Sequence, residues 1–270
     1  MRHAQDPRET DAKGILRPAL GMDRFALHRE PAPLALAPYV ERLWTVRWSL
    51  PDGETFEQET LPHPCVHLVF EEGQFRVHGP GTRRFKATLR AAGWVTGVKF
   101  TSAGFFPFAT GPLRSLVDRV ALASELFTRP LPAPPSCPAN AARALCEFLL
   151  AIEPAHDPMI ATVNELVRAA QQDGAIVRVD RLASLAGISE RSLHRLFEKY
   201  VGVSSKWIVR RARVQGAAER VARGESVDWA AVAAELGYSD QAHLIRDFRA
   251  QIGVTPAAYA RACVVSSPAQ

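Results

Sequence analysis

The sequence predicts an α+β fold: a β-rich, barrel-like N-terminal domain, followed by an all-α domain with two helix-turn-helix motifs joined by a linker helix. The first half alternates apolar and polar residues with the period of strands, whereas the second half repeats apolar residues with the period of helices. Between them, residues 128–140 contain five prolines, which are incompatible with a regular helix or a central strand. We therefore expect a linker there.

The N-terminal half is expected to be built from short strands. Alternate side chains share one strand face over residues 44–50 and again over residues 94–100, and glycine or proline separates such runs. Short helices are expected over 112–119 and 120–127, where they would close the domain.

The second half is expected to be all α. Seven helices fit between Pro158 and Ala262, because apolar residues recur there with helical spacing. A serine, threonine or aspartate stands near the start of most of these helices, where its side-chain oxygen can accept from free backbone N–H groups. The predicted capping residues are Asp180, Ser189, Ser204, Asp228, Ser239 and Thr255.

These patterns divide the chain into five segments. The predicted segments are a disordered arm over 1–13, a β-rich domain over 14–127, a proline-rich linker with a helix over 128–156, a double helix-turn-helix domain over 157–262 and a tail over 263–270.

The composition is that of a globular protein. Of the 270 residues, 47% are apolar and 23% are charged, and the longest apolar runs fall far short of the ~20 residues that span a membrane. The charged arm lacks the apolar core of a secretory signal, so we expect a cytoplasmic protein without membrane association. The four cysteines fit neither a zinc ribbon nor a disulfide framework and are expected to be reduced thiols. The net charge of +5 permits nucleic-acid binding without requiring it.

One helical unit occurs twice. Residues 182–189 (LASLAGIS) are matched fifty residues later by residues 232–239 (VAAELGYS). Gly187 and Gly237 each end a short helix in a tight turn, where glycine tolerates a left-handed backbone. A second helix begins shortly after each turn. A helix, a glycine turn and a second helix make a helix-turn-helix motif.

The second helix of each unit is amphipathic. Its apolar residues are expected to face the core, which turns its polar side chains outward. Arginine and glutamine can bind guanine and adenine bidentately in the major groove, and histidine can donate or accept there. A single such face equally suits a solvated helix, but two copies in register favour DNA reading. The outward side chains are Arg191, Ser192, His194 and Arg195 in the first copy and Gln241, His243, Arg246 and Arg249 in the second.

Residues 204–224 predict one linker helix of ~20 residues, which spans ~30 Å at ~1.5 Å per residue. This length approaches the ~34 Å between successive major-groove faces of B-DNA. Basic residues on or near this helix could bind phosphates, although each position also suits an ordinary solvated arginine. The expected phosphate contacts are Arg210, Arg211, Arg213 and Arg249.

Residues 182–259 resemble the double helix-turn-helix domain of AraC/XylS-type transcriptional regulators. The resemblance is carried above all by GYSDQAHLIRDF at 237–248 and IGVTP at 252–256. It implies a transcription factor that binds double-stranded DNA and contacts RNA polymerase. The chain departs from the family where Ser204 is followed by Ser205, because a proline often follows that serine. The base contacts that the resemblance implies are Arg191, His194, Arg195, Gln241, Ala242, His243 and Arg246.

The N-terminal half is similar to the N-terminal domain of one AraC-type group. The similarity is carried by GILRP at 14–18, LAPYVE at 36–41, LPHPC at 61–65 and GVKF at 97–100. It implies a sensory role, with a small-molecule effector of unstated chemistry.

Two sets of residues are candidates for an effector pocket. His63, Cys65 and His67 alternate along one strand, which suits a metal or redox site but more readily a buried thiol beside two hydrogen-bonded histidines. We therefore predict no metal and no cofactor. Aromatic residues could line an apolar pocket, although such residues are more often core. The aromatic candidates are Trp48, Trp94 and Phe106.

No catalytic constellation is present in the sequence, so we expect a regulator and not an enzyme. The alternatives are an enzyme or a metal-binding barrel with an appended DNA-binding domain. A homodimer is a further possibility, formed through the first half or through the helix at 139–151, whose apolar stripe contains Leu145, Phe148, Leu149 and Ile152. The same stripe would serve equally well for packing on its own domain.

Overall fold

A computed structural model describes residues 24–172, 178–222 and 228–265 of the chain. In these ranges no helix is both long and apolar enough to cross a membrane. Four parts of the sequence prediction lie outside the described residues: the arm at 1–13, the motif at 14–18, the end of the linker helix near Gly224 and the tail beyond 265.

The N-terminal half forms two antiparallel sheets, as the alternating sequence predicts. The larger sheet has six strands in the order β1-β2-β7-β4-β5-β8, and β3 pairs with β6 in a separate two-stranded ribbon. Among the described residues no pairing joins the edge strands β1 and β8, so the sheet is open and "barrel-like" describes it only loosely. The strands are β1 Phe25–Pro31, β2 Val40–Ser49, β3 Thr55–Thr60, β4 His67–Glu71, β5 Gln74–His78, β6 Phe85–Arg90, β7 Ala92–Phe100 and β8 Val120–Leu122.

The C-terminal half is helical. Between residues 159 and 265 the described part of the chain holds seven α-helices, which is the predicted number. The helices are α1 Ala123–Leu126, α2 Pro138–Leu150, α3 Met159–Gln172, α4 Val179–Leu185, α5 Glu190–Tyr200, α6 Ser205–Ala222, α7 Trp229–Glu235, α8 Gln241–Ile252 and α9 Pro256–Val265, with single 3-10 turns at Leu34–Leu36, Phe106–Phe108 and Leu113–Leu116.

The helix expected over 120–127 is wrong in its first half. Residues Val120–Leu122 form strand β8, which pairs with β5, and only Ala123–Leu126 are helical. Strand β5 has an otherwise open edge, and the backbone of β8 satisfies the N–H and C=O groups along that edge. The sequence pattern is local and carries no information about that vacant edge.

Most predicted caps are confirmed. Side chains of Ser189, Ser204, Asp228 and Thr255 accept from backbone N–H groups in the first turn of α5, α6, α7 and α9. The prediction that Asp180 caps a helix is wrong, because Asp180 lies inside α4. The residue that precedes this helix, Arg178, makes no capping side-chain hydrogen bond. Ser239 is also wrong, since α8 begins one residue later and Asp240 is its cap.

The helical half contains two separate apolar cores. The first is continuous from the large sheet through α2 to α5 and the beginning of α6, so the first helix-turn-helix unit shares its core with the N-terminal domain. The second is formed by the end of α6 with α7, α8 and α9. Leu145, Phe148 and Leu149 of α2 are buried in the first core. The stripe on α2 therefore packs on its own domain and offers no dimer surface.

An ion pair attaches α8 to the linker helix α6. The Arg210 guanidinium donates to both carboxylate oxygens of Asp247, with Nε 2.6 Å from Oδ2. The Asp247 side chain is only 4% exposed, whereas that of Arg210 is 45% exposed. A buried carboxylate requires a partner of this kind. Arg210 thus holds α8 on the linker helix, and its role as a phosphate contact stays a prediction.

The substitution Arg210→Met is expected to lower the free energy of unfolding by about 3 kcal/mol, because it leaves the Asp247 carboxylate buried without a counter-charge. Urea unfolding of the full chain measures the change. The matched control is Arg220→Met, which removes the partly exposed pair of Arg220 with Glu235 and is expected to cost less than about 1 kcal/mol. Equal losses in the two variants would contradict the structural role of Arg210.

Candidate nucleic-acid interface and internal cavity

Helix α5 presents a polar face to solvent. Its start is fixed by Ser189, whose Oγ accepts from the backbone N–H of Ser192 at 3.2 Å. Leu193 and Phe197 are fully buried and set the inward side. The other side is therefore outward, as predicted. The exposed side chains of this helix include Arg191, Ser192, His194 and Arg195.

Helix α8 repeats the arrangement. Asp240 caps it by accepting from the backbone N–H of His243 at 2.7 Å, and Leu244 and Phe248 are fully buried. The His243 ring packs edge-on against Tyr238, with centroids 5.1 Å apart. Gln241, Ala242, Arg246 and Arg249 are exposed, and His243 is half-buried.

Helix α6 joins the two units. Its 18 residues span ~27 Å at ~1.5 Å per residue. Helices α5 and α8 both pack against it, so their spacing depends on this one helix.

Two further arginines of α6 make contacts within the chain. Arg211 is buried, and its Nε donates to the backbone carbonyl of Pro62 in the N-terminal domain. Arg211 lies three residues from both Ile208 and Val214 on the buried side of the helix, which explains its direction. Burial lowers the pKa of Arg211 to about 10. Its prediction as a phosphate contact is wrong.

Arg213 stabilises the turn of the second unit. Its guanidinium lies 5.3 Å from the ring centroid of Tyr238 and donates to the carbonyl of Gly237. These contacts are made within the chain, and the phosphate role of Arg213 stays a prediction. Arg249 is exposed and remains a predicted phosphate contact.

Sequence reasoning missed Asp247. A usable signal was present, because Asp247 lies three residues after Leu244 and next to Phe248, on the inner edge of α8. A carboxylate at such a position predicts a basic partner on the neighbouring helix.

A cavity of about 480 Å³ lies in the N-terminal domain, between one face of the large sheet and the β3–β6 ribbon. Its walls change character along the strands. The register aligns Arg42, Lys99, His67 and His78 across β2, β7, β4 and β5 at one end. Toward the other end the lining becomes apolar; this part includes Phe25, Leu27, Val46, Leu89 and Val95.

The predicted trio lines the polar end of this cavity. The Trp44 indole N–H donates to Nδ1 of His67 at 3.2 Å, so Nε2 of the neutral ring carries the proton and points to Sγ of Cys65 at 3.6 Å. Burial, followed by the charge of Lys99, lowers the pKa of His63 and of His67 well below the usual value. Burial raises the pKa of the Cys65 thiol to about 11.

The described residues contain no group of three metal-ligating side chains. The chemistry of His63, Cys65 and His67 in this arrangement is that of neutral hydrogen-bonding groups.

The aromatic candidates are wrong as cavity residues. Trp48 pairs with Gly93 and Trp94 pairs with Arg47, so the two indoles lie on opposite faces of the sheet. Trp94 stacks on Phe70, with centroids 5.5 Å apart, in the core on the other side.

Trp48 lies beyond the apolar end of the cavity and donates to the carbonyl of Arg90 at 3.0 Å. Phe106 packs on Tyr200 of α5, with ring centroids 4.3 Å apart. The cavity residues that sequence reasoning missed are Arg42, Trp44 and Lys99. Their signal was alternation along β2 and β7, but only the register shows that they meet.

The free energy of unfolding is expected to fall as the pH is lowered below about 6.5. Below that pH the two histidines are protonated in the unfolded chain, whereas His63 and His67 stay neutral in the folded chain. The free energy of unfolding therefore falls by up to ~1.4 kcal/mol per pH unit for each histidine. Urea unfolding between about pH 7.5 and about pH 5.5 measures the slope. His67→Gln is expected to reduce the slope by about half, because one of two such groups is gone.

His28→Gln is the control, since the His28 side chain is 70% exposed on β1. Its slope is expected to match that of the parent protein. A parent slope near zero, or an unchanged slope in His67→Gln, would refute the assignment.

Two family models match the chain. A family described as "Helix-turn-helix domain" matches residues 182–262, and a family described as "Domain of unknown function (DUF6597)" matches residues 28–121. No curated protein sequence matches the chain.

Three similar solved structures all have low TM-scores. The DNA-binding domain of AdpA, described in complex with a target DNA, is 28% identical, with 43% of this chain and 100% of that chain covered and a TM-score of 0.32. ToxT from Vibrio cholerae is 10% identical, with coverages of 88% and 98% and a TM-score of 0.39. A transcriptional regulator with an AraC-type DNA-binding domain from Chromobacterium violaceum is 21% identical, with coverages of 40% and 99% and a TM-score of 0.34.

The family match over residues 182–262 coincides with the two capped units, α4–α5 and α7–α8, that the structure places on either side of α6. The residues that carry the sequence resemblance lie in the second of them. The chain therefore carries an AraC-type double helix-turn-helix domain behind a DUF6597 domain and is a DNA-binding transcriptional regulator of the AraC type.

Proposed function

We propose that this regulator reads two consecutive major-groove turns of double-stranded DNA with α5 and α8, and that an effector in the N-terminal domain controls how the two helices are placed. One observation carries the proposal: α5 packs with the start of α6 and α8 with its end, and among the described residues no part of the N-terminal domain covers the polar face of either helix. Within the described ranges the proposed reading surface is therefore exposed.

The chemistry of the two faces supports direct base reading. In the first helix Arg191 and Arg195 match guanine edges, and in the second Gln241 matches adenine and Arg246 matches guanine. The proposed base-reading set is Arg191, Ser192, His194, Arg195, Gln241, Ala242, His243 and Arg246.

The spacing of the helices supports reading on one side of the duplex. A linker of ~27 Å with a reading helix packed on either side can reach successive major-groove faces ~34 Å apart. The Arg210–Asp247 pair prevents α8 from rotating freely on that linker.

Different parts of the N-terminal domain contact the two helix-turn-helix units. The first unit is fixed to the rigid side of the domain, where Phe106 packs on Tyr200 and the backbone of Leu113 lies against Gly202. Asn164 of α3 adds two hydrogen bonds to the loop after β7. This unit and the large sheet therefore move as one body.

The second unit is held by the ribbon. Arg84 immediately precedes β6, and its guanidinium donates to the Glu59 carboxylate of β3. The same guanidinium lies so close to Gly253 that a Cβ atom at that position would overlap it. Leu61 packs on the second apolar core. The ribbon is also one wall of the cavity. An occupant that moves the ribbon against the sheet would shift α8 relative to α5.

The proposal includes further partners. Contact with RNA polymerase and a homodimer that does not use α2 are part of it, as is action in the cytoplasm. No catalytic role is assigned to the chain.

Arg195→Ala and Arg246→Ala are each expected to relax base preference at one position and to weaken binding to the preferred site by ~1 to 3 kcal/mol. Retaining fragmented source DNA on the purified full chain at two salt concentrations, followed by sequencing, first identifies the site. Titrations of single-base variants of that site then measure preference.

Arg249→Ala is the phosphate comparison, expected to weaken all sequences alike and to reduce the salt slope by about 1. Arg143→Ala on the exposed surface of α2 is the inert control. Unchanged base preference in both groove variants would contradict the proposal.

A further inference from the structure

We infer that the cavity binds an organic anion, with its charged group at the Arg42 and Lys99 end and an apolar body toward Leu27 and Val95. This inference rests on the proposed function, because it names the chemical class of the effector. A volume of about 480 Å³ suits a small organic molecule.

The first argument is the polarity gradient along the strands. Because side chains two residues apart share a strand face, β2 presents Arg42, then Trp44, then Val46 to the cavity, and β7 presents Lys99 and then Val95. A ligand that lies along these strands therefore meets cations at one end and hydrocarbon at the other.

The second argument is the charge at the polar end. Arg42 and Lys99 both pair with the same carboxylate, Glu41, each at 2.8 Å. The Lys99 side chain is only 12% exposed. Arg211 adds a buried guanidinium behind Pro62, and within the described ranges it forms no ion pair. Three cations thus stand against one carboxylate.

Several other charges on the cavity wall have carboxylate partners of their own. These pairs are Arg84 with Glu59, His78 with Glu71 and Arg83 with Asp118. Positive charge therefore exceeds negative charge at the Arg42 and Lys99 end of the cavity. An anionic group on the ligand would balance this charge. A neutral ligand would displace water from the cations without replacing the lost hydration by an ionic interaction.

The third argument concerns hydrogen-bond donors. The Trp44 N–H is already used by Nδ1 of His67, and Nε2 of His67 points to the sulfur of Cys65. The groups at this end that can meet a ligand include the ammonium of Lys99, the guanidinium of Arg42, the ring of His63 and the Cys65 thiol. All can donate, and the two strongest are charged, which selects an acceptor-only head group.

Two fluorescent dyes with the same ring system test the inference. 1-Anilinonaphthalene-8-sulfonate carries an anionic group, and N-phenyl-1-naphthylamine is its uncharged counterpart. Titrations of the full chain in the absence of DNA are expected to show about tenfold tighter binding of the anionic dye, since charged hydrogen bonds are the stronger ones.

Variants locate the site. Lys99→Met is expected to weaken the anionic dye about tenfold and to leave the neutral dye within about twofold, because the methionine keeps the apolar stem. Glu41 keeps its partner Arg42 in this variant. Arg42→Met gives the same test if Lys99→Met does not fold. Lys206→Met, at an exposed position of α6 outside the cavity, is the matched control with the same loss of charge.

Val95→Phe, which fills the apolar end, is expected to weaken both dyes. Equal affinity of the two dyes for the parent protein, an unchanged anionic affinity in both cation variants, or undiminished binding to Val95→Phe would each overturn the inference. Because no DNA is present, a failure here is distinct from a failure of the DNA-reading proposal, which the operator titrations report separately.

Discussion

The buried guanidinium of Arg211, bonded to the carbonyl of Pro62, ties the linker helix to the wall of the cavity. This contact joins the two halves of the chain at the segment that separates the cavity from the second helical core. The neighbouring Leu61 packs on the second core, and His63, one residue beyond Pro62, lines the cavity. A segment of three residues thus faces a prospective ligand on one side and the DNA-reading half on the other.

Such an arrangement makes steric masking unnecessary as a means of control. Both polar faces are exposed among the described residues. Under the proposed function the N-terminal domain therefore acts on affinity through the orientation of α8 relative to α5, while α6 keeps their separation. The first unit shares a continuous core with the sheet, and the second has a core of its own. A small displacement of the β3–β6 ribbon can therefore move the second helix-turn-helix unit as a body separate from the first unit.

The helix-turn-helix units could be predicted from the sequence because their determinants are local. Glycine at the turn, a capping side chain and apolar spacing all lie within about twenty residues, and Gly187 and Gly237 do have positive φ. Arg211 and Arg213 could not be placed in this way. A helix pattern shows which residues share a side, but which side is buried depends on a partner from another part of the chain. The prediction that Trp48 and Trp94 line one pocket was wrong for a similar reason, because alternation within each strand does not reveal the register between strands.

The central claim is that α6 holds two reading helices at one fixed separation. The most direct measurement is the affinity of the full chain for its site after insertion of about half a turn (~5 bp) or a full turn (~10 bp) of DNA between the two contacted segments. The account predicts a large loss of affinity for both insertions, because an 18-residue helix cannot lengthen to follow the second segment. Recovery of the parent affinity with the full-turn insertion would contradict it.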